Sequence, residues 1–233
     1  MNLFFLSMNA EEAARWHANI HIVKMIVETA QLLCNVHHRA AEPDSHCLPP
    51  YVRRSQVPYL DSRSGHRKLG SMIWVAESLG NYRWGVRLGL TLCREYNTGR
   101  GRAEGKVTKH NTEAVLEWLR DHEPNFKKTR RAPVLRRHLA MPEKMKDAPN
   151  SVEAYRDYYY SKRRTMPMEW PEGLVPEWWE ARKQAKKRAK APRSSPAANA
   201  ESRKVSARPK AEKRKASKLA EPSSAAKRRR SKA

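Results

Sequence analysis

The chain has 233 residues and a formal net charge of +24, carried by 48 Lys and Arg against 24 Asp and Glu. That length suits one ordinary domain with a further segment, and so basic a balance points to a polyanionic partner, most simply nucleic acid. The composition excludes other classes: no apolar run approaches 18 residues, so no membrane span is expected, and three cysteines without a CxxC pair argue against a secreted disulfide framework.

In chain order, "NLFFLS" reads as a short first strand, and "MNLFFLSM" lacks the basic start and the length of a signal peptide. Asn9, with Glu12 three residues on, has the spacing of a capping box and opens one long helix over 10–37. Residues 40–70 are rich in Pro, Ser and charge and read as a long loop. A second long helix is expected over 71–96, weakened by its glycines, followed by the basic, glycine-rich connection "NTGRGRAEGK". "NTEAVLEWLRDH" makes a third helix with Val115, Trp118 and Leu119 on one face. A loop then leads to a fourth helix, "SVEAYRDYYYSKRR", capped by Ser151. Trp170, Trp178 and Trp179 stand in a Pro-rich end piece placed to clasp the body.

From Ala181 to Ala233 there are 20 Lys and Arg, 3 Asp and Glu and no aromatic residue, a net of +17 that leaves +7 for residues 1–180. From about Gln184 such a segment cannot bury enough apolar surface to offset its chain entropy, so disorder is expected. Its composition is similar to a linker-histone tail. The expected architecture is therefore a mainly α-helical domain over 1–180 and a disordered basic tail over 181–233. "AKRRRSKA" also has the character of a nuclear-import signal. If the host is eukaryotic the chain is expected in its nucleus or at a site of viral DNA replication, and otherwise in the cytoplasm; it is not expected to be secreted.

The first helix poses the functional question. His17, His21, Lys24 and Glu28 follow one another at four, three and four residues, within roughly 60° of one another on a helix, and Gln31 and Asn35 extend the stripe. The rest of the circumference is mostly apolar, including Ile22, Val23, Met25, Ile26, Leu32 and Leu33. A solvated face is usually broader and richer in Lys and Glu. Either these groups pair with one another and with neighbouring loops, or they line a polar cleft, because clustered buried ionisable groups tend to serve function. His at i and i+4 is a metal-ligand spacing. A third ligand at Glu28 lies nearly two turns on, however, and HExxH is absent, so no metal site is assigned. An amine beside a carboxylate suits attack on C1′ of a deoxynucleotide with the carboxylate handling protons. Lys24, with an ordinary pKa of about 10.4, is mostly protonated near neutrality, whereas the α-amino group of Met1, starting near about 7.7–8.0, is the easier nucleophile.

The stretch "HIVKMIVE", with a His seven residues before a Glu, resembles the catalytic helix of phage pyrimidine-dimer DNA glycosylases of the endonuclease V type, which are also small, basic and helical. The resemblance extends weakly through the second long helix and "MPEKMKDAPNSVEAYRDYYYSKRR". The chain is similar still more closely to a family of uncharacterised phage and large-DNA-virus proteins. The shared pattern is an opening like "MNLFFL", then H-x-x-K-M-I-x-E-x-A-Q-L-L (here His21 to Leu33), W-x-x-E-S-x-x-N-Y-x-W (Trp74 to Trp84), Met141–Pro142 and V-E-A-Y-R-x-Y-Y (Val152 to Tyr159). It covers most of 1–165 and none of the tail. The glycosylase resemblance implies Glu28 as the essential carboxylate and an N-terminal amine as the imine-forming nucleophile. The chain departs from that family in having Asn2, which normally leaves Met1 in place, and Leu3 where an Arg is expected.

Other groups are weighed in the same way. Trp74, Glu77, Asn81 and Trp84 recur three to four residues apart, as core or as part of the same cleft. Cys34, His37, His38, His46 and Cys47 cluster loosely, a possible zinc set that fits no established finger spacing. "GRAEGKV" has too few residues between its glycines, and Val107 where a Ser or Thr is needed, for a phosphate loop. The longer run "NTGRGRAEGKVTK", with Arg100 and Arg102, reads equally as a flexible phosphate-contacting loop or as a merely solvated one. Arg53, Arg54, Arg63, Arg67 and Lys68 in the long loop are read as parts of a DNA-backbone surface. So are Lys127, Lys128, Arg130, Arg131, Arg136 and Arg137 further on, the alternative being ordinary solubilising charge scattered over the surface. The combined expectation is a base-excision glycosylase and AP lyase acting on damaged pyrimidines in double-stranded DNA. Glu28, Lys24, His21, His17 and Met1 form its site, without a cofactor. The alternatives are a non-enzymatic DNA-packaging protein and a metal-dependent nuclease.

Overall fold

Asn9 opens the first helix as its spacing predicts, its side chain accepting from the backbone N–H groups of Glu11 and Glu12. In the computed structural model, which describes residues 2–40, 68–106 and 108–190, that helix is short: α1 is Ala10–Arg15, and the chain turns before α2, Asn19–Ala40. The single helix expected over 10–37 is therefore two. Its break is made by distant groups. Arg100 donates to the carbonyls of Arg15 (3.1 Å) and His17 (2.5 Å), which removes them from any continuing ladder. The Asn19 N–H goes to Glu169 O at 2.8 Å.

The second long helix is also two, α3 (Gly70–Val75) and α4 (Leu79–Asn97). Ser78 caps α4 by accepting from Asn81 N, and Asn81 ties the joint by donating to Trp74 O at 2.7 Å and accepting from Ala132 N at 2.8 Å. The glycines that weaken this helix on paper let it pack closely. A Cβ on Gly85 would meet Leu33 of α2 at 3.2 Å, and one on Gly89 would meet Leu116 at 2.7 Å and Thr29 at 3.3 Å. Leu116 belongs to α5, Glu113–Asp121, the third helix of the sequence reading.

Single 3-10 turns at Arg136–His138 and Glu143–Met145 lead to α6, Ser151–Ser161, which is capped by Asn150 rather than Ser151. The Ser151 hydroxyl instead donates to Val134 O at 2.5 Å. A further 3-10 turn, Lys162–Arg164, follows, and α7 is Glu177–Lys190. It runs past Gln184, where disorder was expected. Ala, Lys, Arg, Glu and Gln are good helix formers, and Arg182 fastens the helix to Glu153 and Asp157 of α6, each at 2.7 Å. The tryptophans before and within it do clasp the body. Trp170 donates to Trp16 O at 3.0 Å, and Trp179 packs edge-on against Tyr160 and Trp170. The described residues lie within one unit, Met1–Ala191; the basic segment beyond, and the tail's expected disorder, fall outside them.

No strand is present among the described residues. "NLFFLS" is irregular, with a tight turn in which Leu6 N–H donates to Phe4 O at 2.8 Å. Leu3, Phe5 and Leu6 are wholly buried and Phe4 nearly so, inserted between helices. Phe5 meets Trp74, Trp84 and Tyr155, and Phe4 meets His17, His21 and Tyr159. The opening segment is thus a core element, and alternate rings of it face the two halves of the aromatic core.

Candidate active site

Where the opening segment passes the front of α2, it leaves a cleft of about 210 Å³ lined by Asn2, Phe4, His21, Lys24, Met25, Glu28, Ala140, Tyr158, Lys162 and Met166. Asn2 is fixed on three sides: its side chain donates to Ala140 O (2.8 Å) and accepts from Tyr155 Oη (3.0 Å), and its backbone N–H donates to Glu28 Oε2 (2.8 Å). Glu28 is mostly covered, and its other oxygen stands 3.6 Å from Lys24 Nζ, whose side chain is 65% exposed. The predicted trio of His21, Lys24 and Glu28 therefore shares one cavity. Met1 lies outside the described residues, but its neighbour Asn2 sits against the carboxylate.

His21 is held by Tyr159. The Tyr159 hydroxyl accepts from Ala18 N (2.9 Å) and lies 2.8 Å from His21 Nδ1, so it has its own proton to give to that nitrogen. Burial, then the charges of Lys162 and Lys24, lower the imidazole pKa to about 4. His21 is thus neutral at pH 7 with Nε2 carrying the proton.

His17 is a correction. It lies in the turn between α1 and α2, off the helical stripe, wholly buried, with Nδ1 2.7 Å from Ala13 O. Its ring lies tilted against Phe4 at 5.9 Å and does not line the cleft. Burial drives its pKa down to about 3, the Ala13 bond opposing and the charges of His21 and Arg100 adding to the fall. It is a neutral core residue.

Lys162 is the residue that sequence reasoning missed. It enters the cleft from the turn after α6, with Nζ 4.5 Å from the Tyr158 ring and 5.5 Å from the Phe4 ring, and no carboxylate within ion-pair distance among the described residues. Its only sequence signal is its position four after Tyr158 at a basic helix end.

The remaining candidates disperse. Trp74 and Trp84 are core, and Asn81 is the joint between α3 and α4. Glu77 bonds Arg137 and His138, each at 3.0 Å. Burial raises its pKa, and those two partners more than offset this and hold it below the usual carboxylate value. Arg100 is a second correction. It is 6% exposed, and its guanidinium is used up by Glu95 (2.7 Å), Asn19 and the two carbonyls of the α1–α2 turn, so it presents nothing to a phosphate. Arg102 is half-buried over the Tyr96 ring. Lys68, Lys127, Lys128 and Arg130 are exposed, Arg131 is exposed but bonds Met8 O at 2.6 Å, and Arg136 is paired with Glu143 and Asp147. Arg53, Arg54, Arg63 and Arg67 lie outside the described residues, as do His46 and Cys47 of the zinc set. Within that set, Cys34 is buried and its thiol pKa raised by burial, while His37 Nε2 is taken up by Tyr82 Oη at 2.8 Å. No group of three or more metal-ligating side chains forms among the described residues.

Together these elements define a mainly α-helical domain whose longest described helix presents one carboxylate, an imidazole and an amine to a small cleft floored by aromatic rings. No described helix is long and apolar enough to cross a membrane. Compared with known proteins, the chain matches no family model, no curated protein and no solved structure.

Proposed function

We propose that the chain excises damaged pyrimidine bases from double-stranded DNA by covalent catalysis in this cleft. The observation that carries the reading is Glu28, a covered carboxylate held 2.8 Å from the backbone nitrogen of Asn2 and 3.6 Å from the Lys24 amine. A neutral amine, from Met1 or Lys24, attacks C1′ of the damaged nucleotide. The C1′–N bond breaks, its electron pair leaves with the base, and the base takes up a proton. The amine nitrogen then loses a proton, O4′ takes one up as it leaves C1′, and the sugar opens to a protonated imine. Removal of a C2′ proton next expels the 3′ phosphate as the C3′–O bond breaks. In this reading Glu28 moves the protons, and general acid–base help of this kind is worth about 10²–10⁴-fold. His21, neutral and fixed by Tyr159, shapes the wall of the cleft. The resemblance of "HIVKMIVE" to the glycosylase helix and the net charge of +24 support the same reading.

The test is borohydride trapping on duplexes carrying single lesions. Glu28→Gln keeps an acceptor for Asn2 N–H, so folding and duplex affinity are retained while trapping falls by about 10²–10⁴-fold. Lys24→Ala and an added N-terminal residue tell the two amines apart. Wild-type protein that forms no adduct across a panel of pyrimidine lesions overturns the proposal. A non-enzymatic packaging protein is the second reading, favoured by the +17 carried by residues 181–233. In that case Glu28→Gln changes nothing measurable.

A further inference from the structure

Away from the cleft, α4 carries a second ordered set of charges. Arg83, Arg87, Leu90 and Arg94 follow at four, three and four residues, and so lie within about 60° on the helix. Gly85 and Gly89, which pack against α2 and α5, fall roughly opposite. With Glu11 of α1, and Arg120 and Glu123 at the end of α5, the stripe encloses an open groove of about 390 Å³ floored by Val86 and Leu90. This groove shares no residue with the cleft.

Its four guanidinium groups are set against three carboxylates, Glu11 and Glu123 in the groove and Asp121 at its edge. Arg83 is gripped by Glu123 through two bonds (2.7 and 2.6 Å) and Arg120 by Asp121 (2.7 and 2.9 Å). Arg94 bonds the Thr91 hydroxyl at 2.6 Å and stands 3.8 Å from Glu11. Arg87, between them, makes no hydrogen bond or ion pair among the described residues. At the front of the helix, the N–H groups of Leu79 and Gly80 donate to the carbonyls of Lys128 (2.9 Å) and Thr129 (3.0 Å). That contact brings the exposed basic segment Lys127–Arg130 to the same end as Arg83. From Arg83 to Arg94 the helix rises about 16 Å, the axial span of roughly five successive phosphates on one strand of a duplex at about 3.4 Å each.

We propose that this groove is a second DNA-backbone track, on a different face from the cleft. Guanidinium forks match phosphate oxygens; Arg83 and Arg120 are held by carboxylates, which leaves Arg87, without a partner among the described residues, and Arg94, 3.8 Å from Glu11, to meet a backbone. The regular spacing and the chain's surplus of +24 favour a phosphodiester backbone over an acidic protein segment. The proposal takes from the preceding section only that the partner is DNA. A protein with two such sites holds one duplex against its cleft while a second strand or segment lies along α4.

The test uses the full chain and a short undamaged duplex, with affinity followed by fluorescence anisotropy across a salt series. Each lost phosphate contact flattens the log–log slope by about 0.9. Arg87→Gln with Arg94→Gln should therefore flatten it by about 1.8, and weaken binding about 60-fold at 0.1 M relative to 1 M salt. The basic tail is common to both proteins and cancels in the difference. Arg87→Lys with Arg94→Lys keeps the charges and should keep the slope, which separates lost charge from lost fold. Borohydride trapping at saturating DNA should be equal in all three proteins. A slope unchanged in the Gln variant overturns the track, including the case in which an acidic protein segment is the true occupant. A wild type that gives no trapped adduct bears on the cleft instead and leaves the slope result readable.

Discussion

Replacing Arg100 by alanine tests how the α1–α2 turn is held. The side chain is 5% exposed and pairs with Glu95 at 2.7 Å, itself 16% exposed. It also bonds Asn19 Oδ1 (3.2 Å), Arg15 O (3.1 Å) and His17 O (2.5 Å). Removing one partner of a buried ion pair costs about 3–5 kcal/mol, because the other charge stays buried and unpaired. For a domain of this size each kcal/mol lowers Tm by roughly 2–4 °C, so Arg100→Ala should melt about 6–20 °C below wild type. Arg100→Lys keeps the charge but cannot reach four acceptors with one planar fork, and should fall between. Differential scanning calorimetry gives the shift, and anisotropy on the still-folded variant gives the DNA salt slope. A fall in Tm under about 2 °C would refute the structural role, and a flattened salt slope would restore Arg100 to the phosphate contacts.

Acid should destabilise the fold early. His17, His21 and His37 have folded pKa values lowered by burial to about 3, 4 and 4, so the unfolded chain binds more protons once the pH falls below about 6.5, and stability drops from there towards pH 4. Each imidazole contributes up to about 1.4 kcal/mol per pH unit in that window, and urea melts that stay flat between pH 7 and 5 would contradict this. Gly80→Ala should destabilise by more than an ordinary overpacked side chain, about 1–3 kcal/mol, because the new Cβ would stand 2.4 Å from Arg131 N, a backbone atom that cannot swing aside. Gly105→Ala, with φ +72° and open space around it, should cost only about 1–2 kcal/mol; equal losses in chemical melts would refute the distinction. Cys34 and Cys93, both buried with thiol pKa values raised by burial, should react with a thiol reagent only on unfolding, and rapid native labelling of either, located by peptide mapping, would count against the packing described.

What the sequence displayed was local. Asn9 as a cap, the amphipathic α5 and the four-three-four run of polar groups are properties of neighbouring residues, and the structure keeps the His21, Lys24 and Glu28 part of that run in one cleft. What it concealed depended on distant partners. Nothing near Trp16 shows that Arg100, more than 80 positions on, will draw off two carbonyls and turn the chain. Periodicity consequently placed His17 on a helix that ends before it. Lys162 joins the cleft from 134 positions beyond Glu28, the difference of their numbers, and no period links them. "NLFFLS" has the composition of a strand, yet the partners awaiting it are helices, and composition does not tell the two apart. The glycines of α4 read as weakness and act as room for α2 and α5.

The buried opening segment bears on the order in which the protein can be made. Phe4 and Phe5 pack on Tyr155, Tyr158 and Tyr159, and Arg156 bonds Leu6 O, all about 150 positions later in synthesis. A ribosome adding roughly 5–20 residues per second leaves the Phe4 and Phe5 rings without these tyrosine neighbours for about 8–30 s. During that interval the nascent chain exposes a short, uncharged, β-prone stretch of the kind that associates with copies of itself or is taken up by chaperones. Yield of the native domain should therefore respond to translation speed and to chaperone supply more than to its finished stability.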